Sequence, residues 1–161
     1  MATIKKIGLG NQVFGMAGAV PYGNVTVQRF VMETDSTGVL VDGDSTAAVG
    51  NGDEIILGKL PTGANLDDSL LIVSDAFTAA TVCKIGFRYV DGVDDTDVPQ
   101  DDDYFGAALV LNAVGRLRNA TTNKPVKLPK EAYLVLVSSG AAHASAGRAD
   151  LLIYSERSGP L

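Results

Sequence analysis

The sequence predicts an all-β protein: a β-sandwich of jelly-roll type, preceded by an irregular N-terminal arm. Short apolar runs with a period of two recur through the chain. The clearest is Cys83–Tyr89, where Cys83, Ile85, Phe87 and Tyr89 alternate with Lys84, Gly86 and Arg88, as in a strand with one buried and one wet face. No long segment carries the 3.6-residue period of an amphipathic helix. The composition agrees: 18 glycines, no tryptophan and 20% charged residues describe a turn-rich β protein rather than a helical one. At 161 residues one domain is expected, large enough to bury roughly 70% of its unfolded surface.

Residues 1–24 form the expected arm, and residues 25–161 the single domain. In the arm Gly8, Gly10, Gly15, Gly18, Gly23 and Pro21 interrupt every candidate element, because glycine and proline punctuate regular structure. Yet Ile4, Ile7, Leu9, Val13, Phe14, Met16 and Val20 are too apolar for a solvated tail. Such a segment lies against a surface, either that of its own domain or that of a neighbouring subunit.

The domain opens with a β-branched and aromatic run, Val25–Glu33, followed by a polar turn and a short strand at Gly38–Val41. Residues Asp42–Gly52 are small and turn-forming, hence a loop. Strands are then expected over Glu54–Leu60, Ser69–Ser74 and Val82–Val90. The acidic run Asp91–Asp103, whose carboxylates repel and which contains Pro99, reads as an exposed loop. Tyr104 and Phe105 pin its far end to the core. Further strands are expected at Gly106–Ala113 (a short helical turn being the alternative there), Ala132–Ser138 and Ala149–Glu156, with Arg116–Lys124 a polar loop. This gives about eight short strands, the number and spacing of sandwiches and barrels. A short internal echo, Lys59-Leu60-Pro61 against Lys127-Leu128-Pro129, each ahead of an apolar strand, fits two related halves.

The net charge of −6 argues against binding nucleic acid or an anionic membrane, since both require a basic surface. A single cysteine excludes an intrachain disulfide and any multi-cysteine metal site. No apolar run approaches the length of a membrane span. Lys5-Lys6 and Ala17-Gly18-Ala19 imitate parts of a signal peptide, but Gly8, Gly10, Asn11, Gln12 and Gly15 break the apolar stretch between them. Retention in the cytoplasm is expected.

No catalytic residue, cofactor or metal ligand is expected. Asp42-Gly43-Asp44 and Asp91–Asp97 cluster carboxylates, but the sixth position of each is Ala47 or Thr96 rather than the glycine of an EF-hand loop. Ser138, His143 and Asp150 supply the residue types of a hydrolase triad, yet the chain has no Gly-x-Ser-x-Gly elbow, and His143 sits in a flexible small-residue loop. Gly8-Leu9-Gly10 lacks dinucleotide-binding spacing. Cys83 falls on a buried face and reads as a small core hydrophobe. Asn24-Val25-Thr26 and Asn119-Ala120-Thr121 match glycosylation acceptors, which are idle in a cytoplasmic protein.

Residues 53–156 resemble a family of small tailed-bacteriophage and prophage virion proteins. The resemblance is carried by Glu54–Pro61, Leu70–Asp75, Cys83–Tyr89 with the acidic loop, Asp103–Ala108, Tyr133–Val137 and Gly147–Ile153. It implies a non-enzymatic structural protein, a capsid decoration (cement) protein that binds the major capsid protein on the outside of the virion and forms homo-oligomers there. A head-fibre base, a tail component and a carbohydrate-binding sandwich are the alternatives, the last disfavoured by the absence of tryptophan. The arm lies outside the resemblance. Its composition makes Ile4, Lys5, Lys6, Ile7, Leu9, Val13 and Phe14 the expected capsid-contact residues.

Overall fold

Alternating side chains decide which face of each strand is buried, and two sheets closing on each other satisfy all of them at once. The computed structural model describes residues 2–5, 25–118 and 121–157, and among these there is no helix. Ten strands follow in chain order: β1 (Thr3–Lys5), β2 (Val25–Thr34), β3 (Glu54–Leu60), β4 (Ala64–Asp75), β5 (Val82–Tyr89), β6 (Asp101–Val110), β7 (Gly115–Arg118), β8 (Val126–Lys127), β9 (Ala132–Ser139) and β10 (Gly147–Arg157). One sheet has the order β1-β3-β9-β5-β6; the other has β2-β10-β4-β7, with β8 also paired to β4. Leaving out β1 and β8, the order is jelly-roll-like, every connection but β5–β6 crossing between the sheets.

The core lies between the sheets. Phe30, Met32, Leu71, Val73, Leu151 and Ile153 of one sheet meet Ile55, Leu57, Ile85, Phe87, Leu134 and Leu136 of the other, all buried. Cys83, Ile85, Phe87 and Tyr89 are each at most 1% exposed, as their alternation requires. The intervening Gly86 is buried too, for a different reason. A Cβ there would lie 2.0 Å from the Asp101 carbonyl oxygen, so the backbone entering β6 packs directly over β5. Register slips between Cys83 and Ile85 and between Ile85 and Phe87 accommodate that approach.

The repeated Lys-Leu-Pro segments have the same task. The first leads from β3 to β4 and the second from β8 to β9, so both cross between the sheets at one end. They are tied to each other: Gly63 N–H donates to the Leu128 carbonyl and Leu128 N–H to the Ala64 carbonyl, both at 2.8 Å. Leu60 and Leu128 are buried beneath them.

Several expectations are corrected. The polar stretch after Val114 is not all loop: Gly115–Arg118 pairs with Val73–Leu70 of β4 as an edge strand. The acidic segment becomes strand at Asp101. The Gly38–Val41 strand reduces to isolated bridges, Thr34 with Leu40 and Val39 with Ala48. The start of the arm is regular, because Thr3–Lys5 runs parallel to Glu54–Ile56. Ile4 is 2% exposed within the core cluster, so it packs on its own domain and is removed from the expected capsid contacts. Lys5 keeps a place in β1. Lys6, Ile7, Leu9, Val13 and Phe14 lie outside the described residues, as do Gly8 and Gly10.

Candidate functional site

Loops at the two ends of the sandwich carry the polar residues, and the strands fix where each loop starts. At one end, the connection from β9 to β10 folds inward at His143. Its ring is 1% exposed, its Nε2 lies 2.9 Å from Ser138 Oγ, and its edge meets Phe77 with centroids 5.2 Å apart and planes at 87°. Burial holds the imidazole pKa down, to about 4, so the ring is neutral at neutral pH. The main chain is locked as well: His143 N–H donates to the Val49 carbonyl at 2.8 Å, and Ala144 N–H donates to Thr78 Oγ1 at 2.8 Å. The expected flexible loop is therefore a packed one.

The three triad residue types do not assemble. Ser138 and His143 meet, but Ser138 is fully buried, where no substrate reaches it. Asp150 lies on the outer face of β10, held by Arg29 at 2.8 Å and Arg148 at 3.4 Å. His143 Nδ1 has no hydrogen-bond partner among the described residues. The pair fastens a loop to a strand; it lacks the orienting carboxylate that a nucleophile–base pair needs.

Beside this loop, Asp53 anchors the N-terminal strand. Its carboxylate accepts from Ala2 N–H at 2.9 Å and from Gly50 N–H at 2.8 Å, while Glu54 N–H donates to the Ala2 carbonyl at 3.1 Å. The chain entering the arm is thus set in place at its root, beside the edge of the first sheet.

At the opposite end, the acidic loop is organised by its own carboxylates. Asp95 Oδ1 accepts from Asp97 and Val98 N–H, each at 3.0 Å, and Asp94 Oδ1 accepts from Gln100 N–H at 2.7 Å. Lys130 Nζ reaches Asp91 Oδ2 at 2.9 Å and the Val93 carbonyl at 2.7 Å, and stands 4.8 Å from the Tyr89 ring centroid. Its hydrogen bond and charge lower the Asp91 pKa. Tyr89 O–H donates to the Val98 carbonyl, and burial pushes that phenol up to about 12. Tyr104 pins the far end as expected, its O–H bonding the Leu66 and Lys124 carbonyls at 3.1 and 2.9 Å.

Carboxylate oxygens of Asp101, Asp102 and Asp103 lie within 4.8 Å of one another. However, Asp101 already accepts from Asp103 N–H at 3.0 Å and Asp102 pairs with Lys84 at 3.6 Å. Asp42 has φ of +59° and belongs to a turn, in which Gly43 N–H bonds the Leu40 carbonyl at 3.1 Å. The Asp101–Asp103 oxygens are close enough to meet one cation, but two of the three carboxylates already have partners within the chain. Cys83 is fully buried and its thiol is pushed up to about 12 by burial, so it is inert. Asn24 and the Asn119–Ala120 acceptor lie outside the described residues.

Sequence reasoning missed one surface feature among the described residues. The outer face of the second sheet carries Val25, Val27 and Val31 from β2, Leu152 and Tyr154 from β10, and Leu70 and Ile72 from β4, row against row in register. Val25 is 65% and Val27 50% exposed. The signal was present: β2 is apolar at Val25 and Val27 as well as at Phe30, Val31 and Met32, so both of its faces carry apolar residues, more than a half-buried edge strand needs.

No protein-family model matches the chain, and no curated protein matches it. Solved structures do. The chain is similar to one in the "Capsid of Ralstonia phage GP4", with TM-score 0.65 and 18% identity over 99% of this chain and 100% of that one. It is also similar to one in the "Cyanophage Pam1 capsid asymmetric unit", with TM-score 0.57 and 13% identity over 92% of this chain and 96% of that one. The two-sheet fold described above is thus shared, nearly end to end, with chains found in two phage capsids.

Proposed function

We propose that the chain is a non-enzymatic structural protein of a tailed-bacteriophage virion, a decoration (cement) protein that binds and stabilises the major capsid protein lattice from outside. The observation that carries this reading is the end-to-end fold likeness to a capsid chain, 99% of this chain against 100% of that one. The likeness runs along nearly all of both chains rather than over one shared module. The virion-protein resemblance over residues 53–156 points the same way.

The polar residues fit that role. Ser138 and His143 are spent inside the fold, and the acidic loop bonds itself and Lys130. The net charge of −6 suits a surface facing protein and solvent rather than packaged nucleic acid. The contacts to the lattice are assigned to Lys5, at the end of β1, and to Lys6, Ile7, Leu9, Val13 and Phe14 after it. Burying Ile7, Leu9, Val13 and Phe14 on a capsid subunit would supply roughly 1.5–3 kcal/mol per side chain. Many copies side by side then need only modest affinity each. The chain is made in the host cytoplasm and ends on the exterior of the head. Virions separated into heads and tails test this: the protein is expected in the head fraction and removable without releasing DNA. Its recovery with tails would overturn the reading.

A further inference from the structure

The four sheet edges of this sandwich are not alike. β1 is three residues long and β7 four, with Arg116 and Arg118 on it. β6 begins Asp101-Asp102-Asp103 and is broken by register slips. Short length, charge and bulges are the usual protections of an edge. β2 has none of them. It pairs with β10 in unbroken register from Val25 to Thr34, and its charged residues, Arg29 and Glu33, are engaged by Asp150 and Arg148.

The direction of its free backbone groups follows from one bond. Val41 N–H donates to the Glu33 carbonyl at 2.8 Å, so Glu33 turns its main-chain groups away from β10. With a period of two, Val25, Val27 and Arg29 do the same. Beyond the cover given by Val39–Val41, these three residues present donors and acceptors to no strand among the described residues.

We propose that two copies of the chain pair antiparallel through β2, about a two-fold axis beside Val27, joining their second sheets into one. Charge on the outer face selects this occupant and this register. Val25, Val27 and Arg29 share that face with Glu156, Tyr154 and Leu152, their register partners on β10. Centring the pair on Val27 sets Arg29 opposite Val25 of the second copy, with that copy's Glu156 next in the row. Two strand spacings, roughly 10 Å between Cα atoms, suit an Arg–Glu pair. Glu156 has no ion pair among the described residues, and its charge raises the neighbouring Asp67 pKa after burial does. Arg29 bonds Asp150 through Nε and is 61% exposed at its side chain; the rest of its guanidinium fork supplies the cation, twice by symmetry. The central row becomes Tyr154–Val27–Val27–Tyr154, covering the exposed valines. Odd residues meet odd residues, so each inward-facing N–H finds a carbonyl.

This inference does not rest on the capsid reading, and its test uses the purified full chain alone. Sedimentation velocity across the micromolar range is expected to show a monomer–dimer equilibrium. Val27→Pro removes an N–H that points to the free edge, leaving the chain's own ladder whole; it is expected to give monomers with an unchanged melt. Glu156→Arg sets two like-charged pairs across the interface and is expected to weaken the dimer by about tenfold. Combining it with Arg29→Glu is expected to restore the dimer while lowering the melt, since Arg29 also pairs with Asp150 of its own chain. Val27→Cys is expected to oxidise to a disulfide-linked dimer, since directly opposed residues lie about 5.5 Å apart and Cys83 is buried. A wild type that stays monomeric, with Val27→Cys failing to cross-link, would overturn the proposal. So would a dimer that survives Val27→Pro.

Discussion

Ser138 Oγ and His143 Nε2 lie 2.9 Å apart, both side chains buried, five residues from each other along the chain. The bond draws the β9–β10 connection into the end of the sandwich, where the His143 ring completes the packing around Phe77. A neutral imidazole is part of that packing, which ties stability to pH. The folded pKa of about 4 lies below the unfolded value near 6.5. The stabilisation is therefore fully present above about pH 6.5 and is lost as pH falls from there towards 4, where the unfolded chain alone takes up the proton. Urea midpoints are expected to fall between pH 7 and pH 4.5, with His143 contributing on the order of 1–3 kcal/mol. His143→Gln, which can still bond Ser138, should flatten that part of the fall. An equal fall in both proteins would contradict the account.

The same loop sets a second expectation at Gly38. Its φ is +82°, and a Cβ would lie 2.2 Å from the His143 carbonyl oxygen. Backbone meets backbone there, so neither side can yield. Gly38→Ala should destabilise by more than about 3 kcal/mol. Gly52 has a similar φ of +88° with nothing within 4 Å, so Gly52→Ala carries only the left-handed backbone cost of about 1–2 kcal/mol. Chemical denaturation of the two variants checks the order; equal losses would contradict it.

Ile4 and Ile7 separate the two parts of the N-terminal segment. Ile4→Ala should cost about 2–4 kcal/mol, because it opens a cavity in the core. Ile7→Ser combined with Phe14→Ser should leave the melt unchanged and reduce binding to heads. Removal of residues 1–20 is a poor test of the arm, since it also removes β1 and leaves the carboxylate of Asp53 without its Ala2 donor. A melt lowered as much by the double variant as by Ile4→Ala would place Ile7 and Phe14 in the core too.

Chelator should leave the melt in place, since Asp91, Asp94, Asp95, Asp101 and Asp102 are engaged by backbone donors, Lys130 and Lys84. A bound ion would stabilise the native state by linkage. A drop of several degrees in chelator, reversed by calcium, would contradict this.

Much of the sandwich was legible: Cys83–Tyr89 was oriented correctly by its alternation, and Glu54–Leu60 was bounded to the residue as an apolar run ahead of Pro61, although Ile55–Gly58 are buried without alternating. What was missed has a common cause, in that long-range pairing made strands of residues whose local pattern is polar. Asn65, Asp67 and Asp68 extend β4 because Glu156 and Tyr154 of β10 pair there. Arg116 and Arg118 are strand because Leu70–Val73 offers an edge. Thr3–Lys5 is too short to show a period and is held by Asp53. His143 among small residues reads as solvent-facing; only Ser138, Phe77 and Val49 beside it show that it is core.

The decoration reading is tested most directly by adding purified protein to heads stripped of it and sedimenting them. The expected result is saturable binding at a fixed number of copies per capsid, with decorated heads surviving heat or chelator that opens bare ones. Folded protein that stays in the supernatant at every concentration, leaving the heads as fragile as before, would contradict it.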